Sequence, residues 1–343
     1  MHVKRLCPPN NSSRRAPVWF FIMMCASCLG ACEAFDEPGL DTDFDIPRTE
    51  AFEKDLSTYN LYEPLSPALT PAQGVHLYEI SSELFTDYAS KQRLIKLPQG
   101  TSATVLDSLS ATYPDGTIVA KTFSFPRDLR DPSQGRRVIE TRLMIMREGS
   151  WNVATYIWND AQTQAFLSLD ATTTPVSWID ADGQERSTTY EIPSEVACIT
   201  CHQSSEKVAL LGLRPRNLNR PVRRDAQTVD QLAHLQAAGV FGDKMPSEIG
   251  EVVDSTDSSK SLERRARAYL DVNCSHCHSP NAWEEPADEG LDLRYETSLS
   301  DSGILEKRNA LGRVLPAGRM PFIGTTMLHE EGVELVLDYL DSL

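Results

Sequence analysis

Two stretches of this chain carry the same five-residue pattern, Cys198-Ile199-Thr200-Cys201-His202 and Cys274-Ser275-His276-Cys277-His278. Both read Cys-x-x-Cys-His. Two thiols one helical turn apart can add to the two vinyl groups of a single porphyrin. The imidazole that follows is then carried under the iron as an axial ligand. The pattern predicts two covalently bound haem c groups, attached at Cys198, Cys201, Cys274 and Cys277, with His202 and His278 on the metal. Zinc held by the paired cysteines is the rival metal reading. The trailing histidines and the N-terminal segment argue against it.

That segment accounts for the remaining thiols. Of eight cysteines, the four outside the motifs (Cys7, Cys25, Cys28 and Cys32) all lie in residues 1–32. Lys4, Arg5, Arg14 and Arg15 form a basic start without acidic residues, and Val18 to Met24 opens an apolar run that continues through small residues. This is the layout of a secretory signal, with an apolar part too short for a comfortable membrane span. Leu29-Gly30-Ala31-Cys32 resembles a lipobox, so residues 1–31 are expected to be removed and Cys32 to carry a lipid. An uncleaved anchor or an unlipidated signal is the alternative. Arg14-Arg15 hints at a twin-arginine route, but Ala16-Pro17 follow where such signals want apolar residues. Covalent haem is attached after export, which favours the general secretory route. The expected location is the periplasm, with Glu33 after the lipidated cysteine pointing to the outer membrane. No thiol then remains for a disulfide, although the compartment permits one.

Beyond the signal the chain is acidic. The formal net charge is −16 while the signal carries only basic groups, so the exported part is more acidic still. Such a surface argues against nucleic acid and favours a redox partner protein with a basic docking face. Residues 32–58 crowd Glu33, Asp36, Glu37, Asp41, Asp43 and Asp45 around Pro38, Gly39 and Pro47, and read as a flexible tether behind the lipid.

From 59 to 193 the apolar period is mostly two. Thr117–Phe125, Arg137–Arg147 and Trp151–Trp158 are rich in β-branched and aromatic residues, and Asp182-Gly183 separates two further short strands. Two helical turns are expected before them, around Glu79–Lys91. This stretch predicts a β-sandwich-like domain or small barrel. After Pro193 the period turns helical, with helices expected at Glu195–Ser204, Gln231–Gln236, Ser261–Val272 and Glu330–Ser342. The expected fold is therefore a multidomain α and β chain: a β-sandwich-like N-terminal domain followed by an all-α cytochrome c-like di-haem unit. In that unit 194–260 forms a first haem segment and 261–343 a second haem domain.

The sixth iron ligands are less constrained. Met320, in Gly318-Arg319-Met320-Pro321 before the last helix, suits the second haem, because a thioether favours ferrous iron. Met327 and His329 compete with it. For the first haem, Met245-Pro246 follows His202 at nearly the spacing at which Met320-Pro321 follows His278. His234 would instead give a bis-histidine site, and an open site is a third possibility. Arg214 and Arg216 follow the first motif closely and suit haem propionates.

Several longer stretches together resemble a bacterial family of exported di-haem c-type cytochromes. They are Phe125–Trp158 with its Arg-Arg-x-Ile-Glu-Thr-Arg-Leu segment, Pro215–Asn219, Arg265–His278, and Met320-Pro321 followed by His329–Val333. The resemblance covers most of residues 60–343 and implies two haems and an extracytoplasmic place, with no assigned substrate. It supports Met320 at the family's Met-Pro position and offers no match for Met245. The chain is shorter than the family between Leu291 and Gly318. The expected activity is electron transfer between a membrane or dehydrogenase donor and a soluble acceptor, with the β domain setting docking. A di-haem peroxidase-like enzyme, with one open iron site and a nearby acid/base, is one alternative. A haem-linked substrate-binding subunit of a dehydrogenase system is another.

Overall fold

Strand by strand, the alternating segments pair into one antiparallel sheet. The structure is a computed structural model and describes residues 52–343 apart from 205–206, 281, 283–289 and 322. The sheet takes β1 (Val75–Leu77), β2 (Ser90–Lys96), β5 (Ile118–Pro126), β6 (Arg136–Arg147), β7 (Ser150–Trp158) and β8 (Ala165–Ser168), in the spatial order β1-β2-β5-β6-β7-β8. A small pair, β3 (Thr104–Val105) and β4 (Ala111–Thr112), interrupts the path from β2 to β5. The β6–β7 turn has two residues, Glu148 and Gly149, both at positive φ. That twist matches the right-handed twist of the flanking strands, and Arg147 consequently pairs with Ser150.

The two faces of this sheet have different partners. Residues of one parity (Leu94, Ala120, Leu143, Ala154 and Tyr156) bury against Phe52, Leu56, Leu61, Tyr62 and Leu69 from the chain that leads into the sheet. On the other face Phe123, Phe125 and Ile139 pack under the hairpin β9 (Thr172–Ile179) and β10 (Glu185–Ile192), through Val176, Trp178 and Tyr190. The rest of that second face meets the segments that follow residue 193.

Those segments begin with α1 (Glu195–His202), the hairpin β11 (Gln203–Ser204) and β12 (Lys207–Val208), and α2 (Pro215–Leu218). The hairpin β13 (Pro221–Arg224) and β14 (Gln227–Asp230) leads to α3 (Gln231–Ala237). A long irregular stretch precedes α4 (Leu262–Asn273), α5 (Ile304–Val314) and α6 (Glu330–Ser342), whose facing sides form a core around Ala266, Leu270, Ile304, Leu311, Val336 and Leu340. The described residues belong to one compact unit.

The expected pairing of a β-sandwich with an all-α cytochrome c-like di-haem unit is not what forms. The molecule is mostly antiparallel sheet, and among the described residues its cover is irregular chain on one face and the two-stranded β9–β10 hairpin on part of the other. Period-two strands with an apolar face need only some apolar cover, and residues 52–72 supply it. After Pro193 the helices α1, α2 and α3 are too short to bury a stripe against one another. Two hairpins interleave with them, and α1 and β12 pack on β7 of the sheet.

The stretch Glu79–Lys91, expected as helical turns, has no helix and runs into β2 at Ser90. Its backbone is tied to the C-terminal half instead. Ser81 N–H donates to Asn217 O at 3.0 Å, Phe85 N–H to Asn273 Oδ1 at 2.8 Å, and the Gln231 side chain bonds both N–H and C=O of Glu79. Buried main-chain groups satisfied in this way have no need of a helical ladder.

Candidate functional site

The first motif forms α1, and its cysteines fall on one short helix because Cys198 and Cys201 are one turn apart. Cys198 is buried, which pushes its thiol pKa up. His202 ends the helix. Its Nδ1 lies 2.8 Å from the carbonyl oxygen of Ala209. A ring N–H donated there leaves Nε2 as the basic nitrogen, the arrangement that orients metal-binding imidazoles. Burial, with the positive charge of Lys121 adding to it, pulls the His202 pKa down to about 3. The ring is therefore neutral at physiological pH, as an iron ligand must be.

The second motif follows α4 directly. Cys274 caps the helix with its N–H on Leu270 O at 2.9 Å, and the His278 N–H bonds Cys274 O at 2.8 Å. Burial lifts the Cys274 thiol to about 12. All four motif cysteines are free thiols.

The two motifs, distant in sequence, meet. The Cys201 and Cys277 thiols interact: the interaction, with burial, lifts Cys201 to about 12, and it pulls Cys277 below the usual range against the effect of burial. His276 reaches the same Cys201 thiol. An interior motif position that sequence reading left without a role thus joins the two sites.

Beside this junction lies a cavity lined by Cys198 and His202 from the first motif and by Ser275 and His276 from the second. Its opposite wall is the sheet, through Arg93, Lys121, Arg142 and Met144. The space between these walls is about 70 Å³, smaller than a porphyrin ring. Asp271 is its one acidic lining residue, and Arg216 holds that carboxylate at 2.8 and 2.9 Å. Asn217 also lines it, with a buried Oδ1 that has no hydrogen-bond partner. The donor set fits a haem: paired thiols on one turn, an anchored neutral imidazole, and cations for carboxylates. Among the described residues no three His, Cys, Asp or Glu side chains are arranged to hold a bare metal ion, so the zinc reading gains nothing.

The other candidates drawn from the sequence separate clearly. Arg214 lines the cavity. Arg216 does not face it with a free guanidinium, being buried in ion pairs with Asp271 and Glu296. Met320 packs, with Cys274, against the core of α4, α5 and α6. Its rivals are otherwise engaged: Met327 packs on the β9–β10 core, while His329 stacks on Phe85 at 4.2 Å and bonds the Tyr269 hydroxyl at 3.0 Å. Neither Met245 nor His234 is among the residues lining the cavity with His202. Groups able to ligate iron that do share the cavity are Met144, Lys121, Tyr78 and His276. Sequence reading missed Arg93, Lys121, Arg142 and Met144; the three basic residues sit inside β2, β5 and β6, among other polar residues that hide them. Cys32 lies outside the described residues. Compared with family models, with curated proteins and with solved structures, the chain matches none.

Proposed function

We propose that this chain is an exported electron-transfer protein carrying two covalent haem c groups, tethered to a membrane through a lipid on Cys32. The observation that carries the reading is that both motifs line one cavity, the first through Cys198 and His202 and the second through Ser275 and His276. Haem supplies one-electron chemistry, cycling between ferric and ferrous iron. The protein's part is to hold and tune. Cys198 with Cys201, and Cys274 with Cys277, would bind one porphyrin each, and His202 and His278 would take one axial position on each iron. Because the Cys201 and Cys277 thiols interact, thioether bonds to them would keep the two porphyrin edges close, which suits passage of an electron from one site to the other. Met320 is the proposed sixth ligand at the second site, supported by its packing in the same core as Cys274. An acidic exported surface supports a basic redox partner and gives no footing for nucleic acid. Among the described residues no helix is long and apolar enough to cross a membrane, so the proposed attachment is the lipid, in the periplasm and on the outer membrane.

The test is expression in a host with c-type haem maturation, followed by denaturation and mass measurement. Two haem additions per chain are expected, with two one-electron steps in a reductive titration. One haem or none per chain would sink the proposal. Intact mass of membrane-extracted protein tests the lipid separately: Cys32→Ser should abolish the modified N-terminus.

A further inference from the structure

The loop between Met320 and α6 is held from outside the helical core. Among the described residues, the hydrogen bonds of residues 320–328 run to Asp87 and Thr188, both from the sheet part of the chain. Asp87, itself buried, takes most of them. Its Oδ1 accepts the Thr326 N–H at 2.8 Å and the Met327 N–H at 2.9 Å, and its Oδ2 accepts the Thr326 hydroxyl at 2.9 Å. Thr188 of β10 meets the same hydroxyl at 2.9 Å. The segment that carries Asp87 also grips the second motif. Phe85 N–H donates to Asn273 Oδ1 at 2.8 Å, and Asn273 Nδ2 donates to Glu83 O at 3.3 Å. Asn273 is the residue before Cys274. Between these two anchors the Phe85 ring stacks on His329, and the Tyr88 hydroxyl donates to Glu331 Oε2 at 2.9 Å. A tight turn makes the reach possible: Ala89 N–H bonds Thr86 O at 2.9 Å, with Asp87 and Tyr88 at φ 48° and 63°. Residues with side chains adopt that region rarely and keep it where their surroundings over-determine it. One short segment therefore joins the two pieces of chain that would flank a Met-ligated haem.

We propose that Glu83–Tyr88 is a clasp for the second haem site, with Asp87 as a positioning residue. Through Thr326 and Met327 it holds the loop that presents Met320, while Phe85 ties the same segment to the second motif through Asn273. The inference rests on the di-haem reading above, with Met320 as sixth ligand, and adds what keeps that ligand in place. A methionine on a loose loop must order the loop each time it binds, whereas a pinned loop has less entropy left to lose. Pinning thus raises the fraction of molecules with Met320 on iron. With the clasp released, the second site changes from a six-coordinate electron carrier to an iron that accepts a small neutral ligand. The segment before β2 then governs ligation, which the expectation of a docking module did not include.

The test uses the holoprotein and the variants Asp87→Ala, Asp87→Asn and Thr326→Val. The readouts are the thioether-to-iron charge-transfer band of the oxidised form and the rate of carbon monoxide binding to the reduced form. Asp87→Ala should weaken the band and speed carbon monoxide binding at one haem by about tenfold or more, the loss expected when hydrogen bonds to a charged group go. Asparagine keeps an acceptor for both backbone N–H groups and tolerates the left-handed backbone, so Asp87→Asn should match wild type. Thr326→Val, at an exposed position, should fold and move both readouts the same way by less. Haem content and the potential of the other haem serve as the control for folding. Two haems with an unchanged band and an unchanged carbon monoxide rate in Asp87→Ala would overturn the proposal. Equal changes at both haems would also overturn it, since they mark general loosening, and so would an Asp87→Asn protein as impaired as Asp87→Ala. A wild type with two haems and no such band would overturn the clasp through its Met320 ligand and leave the di-haem reading intact. Fewer than two haems in wild type would overturn both.

Discussion

Replacing Arg216 with Met separates two roles that the residue could have. Its guanidinium and the Asp271 carboxylate each have only 4% of their side-chain surface exposed. Nη2 donates to both Asp271 oxygens at 2.8 and 2.9 Å, and Nη1 pairs with Glu296. Apart from these, Asp271 Oδ1 accepts the Tyr295 N–H at 3.0 Å. Arg216→Met therefore strands a buried carboxylate with one backbone donor. Breaking a buried pair in this way costs about 3–5 kcal/mol. With an unfolding entropy on the order of 0.6 kcal/mol/K for a unit of roughly 290 residues, Tm should fall by about 5–8 °C.

Denaturant unfolding followed by circular dichroism gives the free energy. Asp271→Leu in the Arg216→Met background should recover most of the loss, since both charges are then gone. It leaves the Tyr295 N–H without its acceptor, a residual cost of about 1 kcal/mol. Because the stranded Asp271 carboxylate lines the cavity, any fall in a haem potential in Arg216→Met should disappear in the double variant. A loss below about 1 kcal/mol, or a shifted potential with stability intact, would refute this reasoning. Either outcome would return Arg216 to the propionate role that its sequence position suggested.

Three further outcomes follow from the same contacts. Burial pulls the Lys91 amine from 10.5 to about 7. Between those pH values the unfolded chain holds the extra proton, so stability should rise with pH across that window; Lys91→Met should reduce the rise in Tm measured from pH 7 to 10, with part left because burial also lowers Lys121 to about 7. A Cβ at Gly332 would fall on the Tyr269 ring, where α6 crosses α4, so Gly332→Ala should cost about 1–3 kcal/mol in denaturant unfolding, and Tyr269→Leu beside it should restore part. Met320→Ala should abolish the thioether-to-iron charge-transfer band of the oxidised protein and lower one midpoint potential; a spectrum and potentials identical to wild type would remove Met320 from the iron.

The long strands were legible in the sequence because their alternation is unbroken. Arg136–Arg147 and Ser150–Trp158 form within a residue of where period two places them, and the Asp182-Gly183 hairpin forms between β9 and β10. The helix Ile304–Val314 was not anticipated; its buried residues, Ile304 and Leu311, are too few to mark a stripe. The Glu79–Lys91 stretch misled for the opposite reason: side chains more than a hundred residues away, such as Gln231 and Asn273, satisfy its backbone.

At the site, the covalent chemistry was written in the motifs, since Cys-x-x-Cys-His fixes the attachment sulfurs and the proximal imidazole in five consecutive residues. What faces them was not. Searching forward from His202 for a partner led to His234 and Met245, whereas the cavity wall comes from strands that precede the motif. Lys121 and Arg142 look like solvent-facing residues, because a charge in an alternating strand ordinarily marks the wet face. Here both faces are covered: one by residues 52–72, the other by the β9–β10 hairpin and the motifs. Alternation reveals that two faces differ but not which of them meets water. Only register across β2, β5 and β6 turns three scattered basic residues into a row, and only the packing of α1 against the sheet turns that row toward His202.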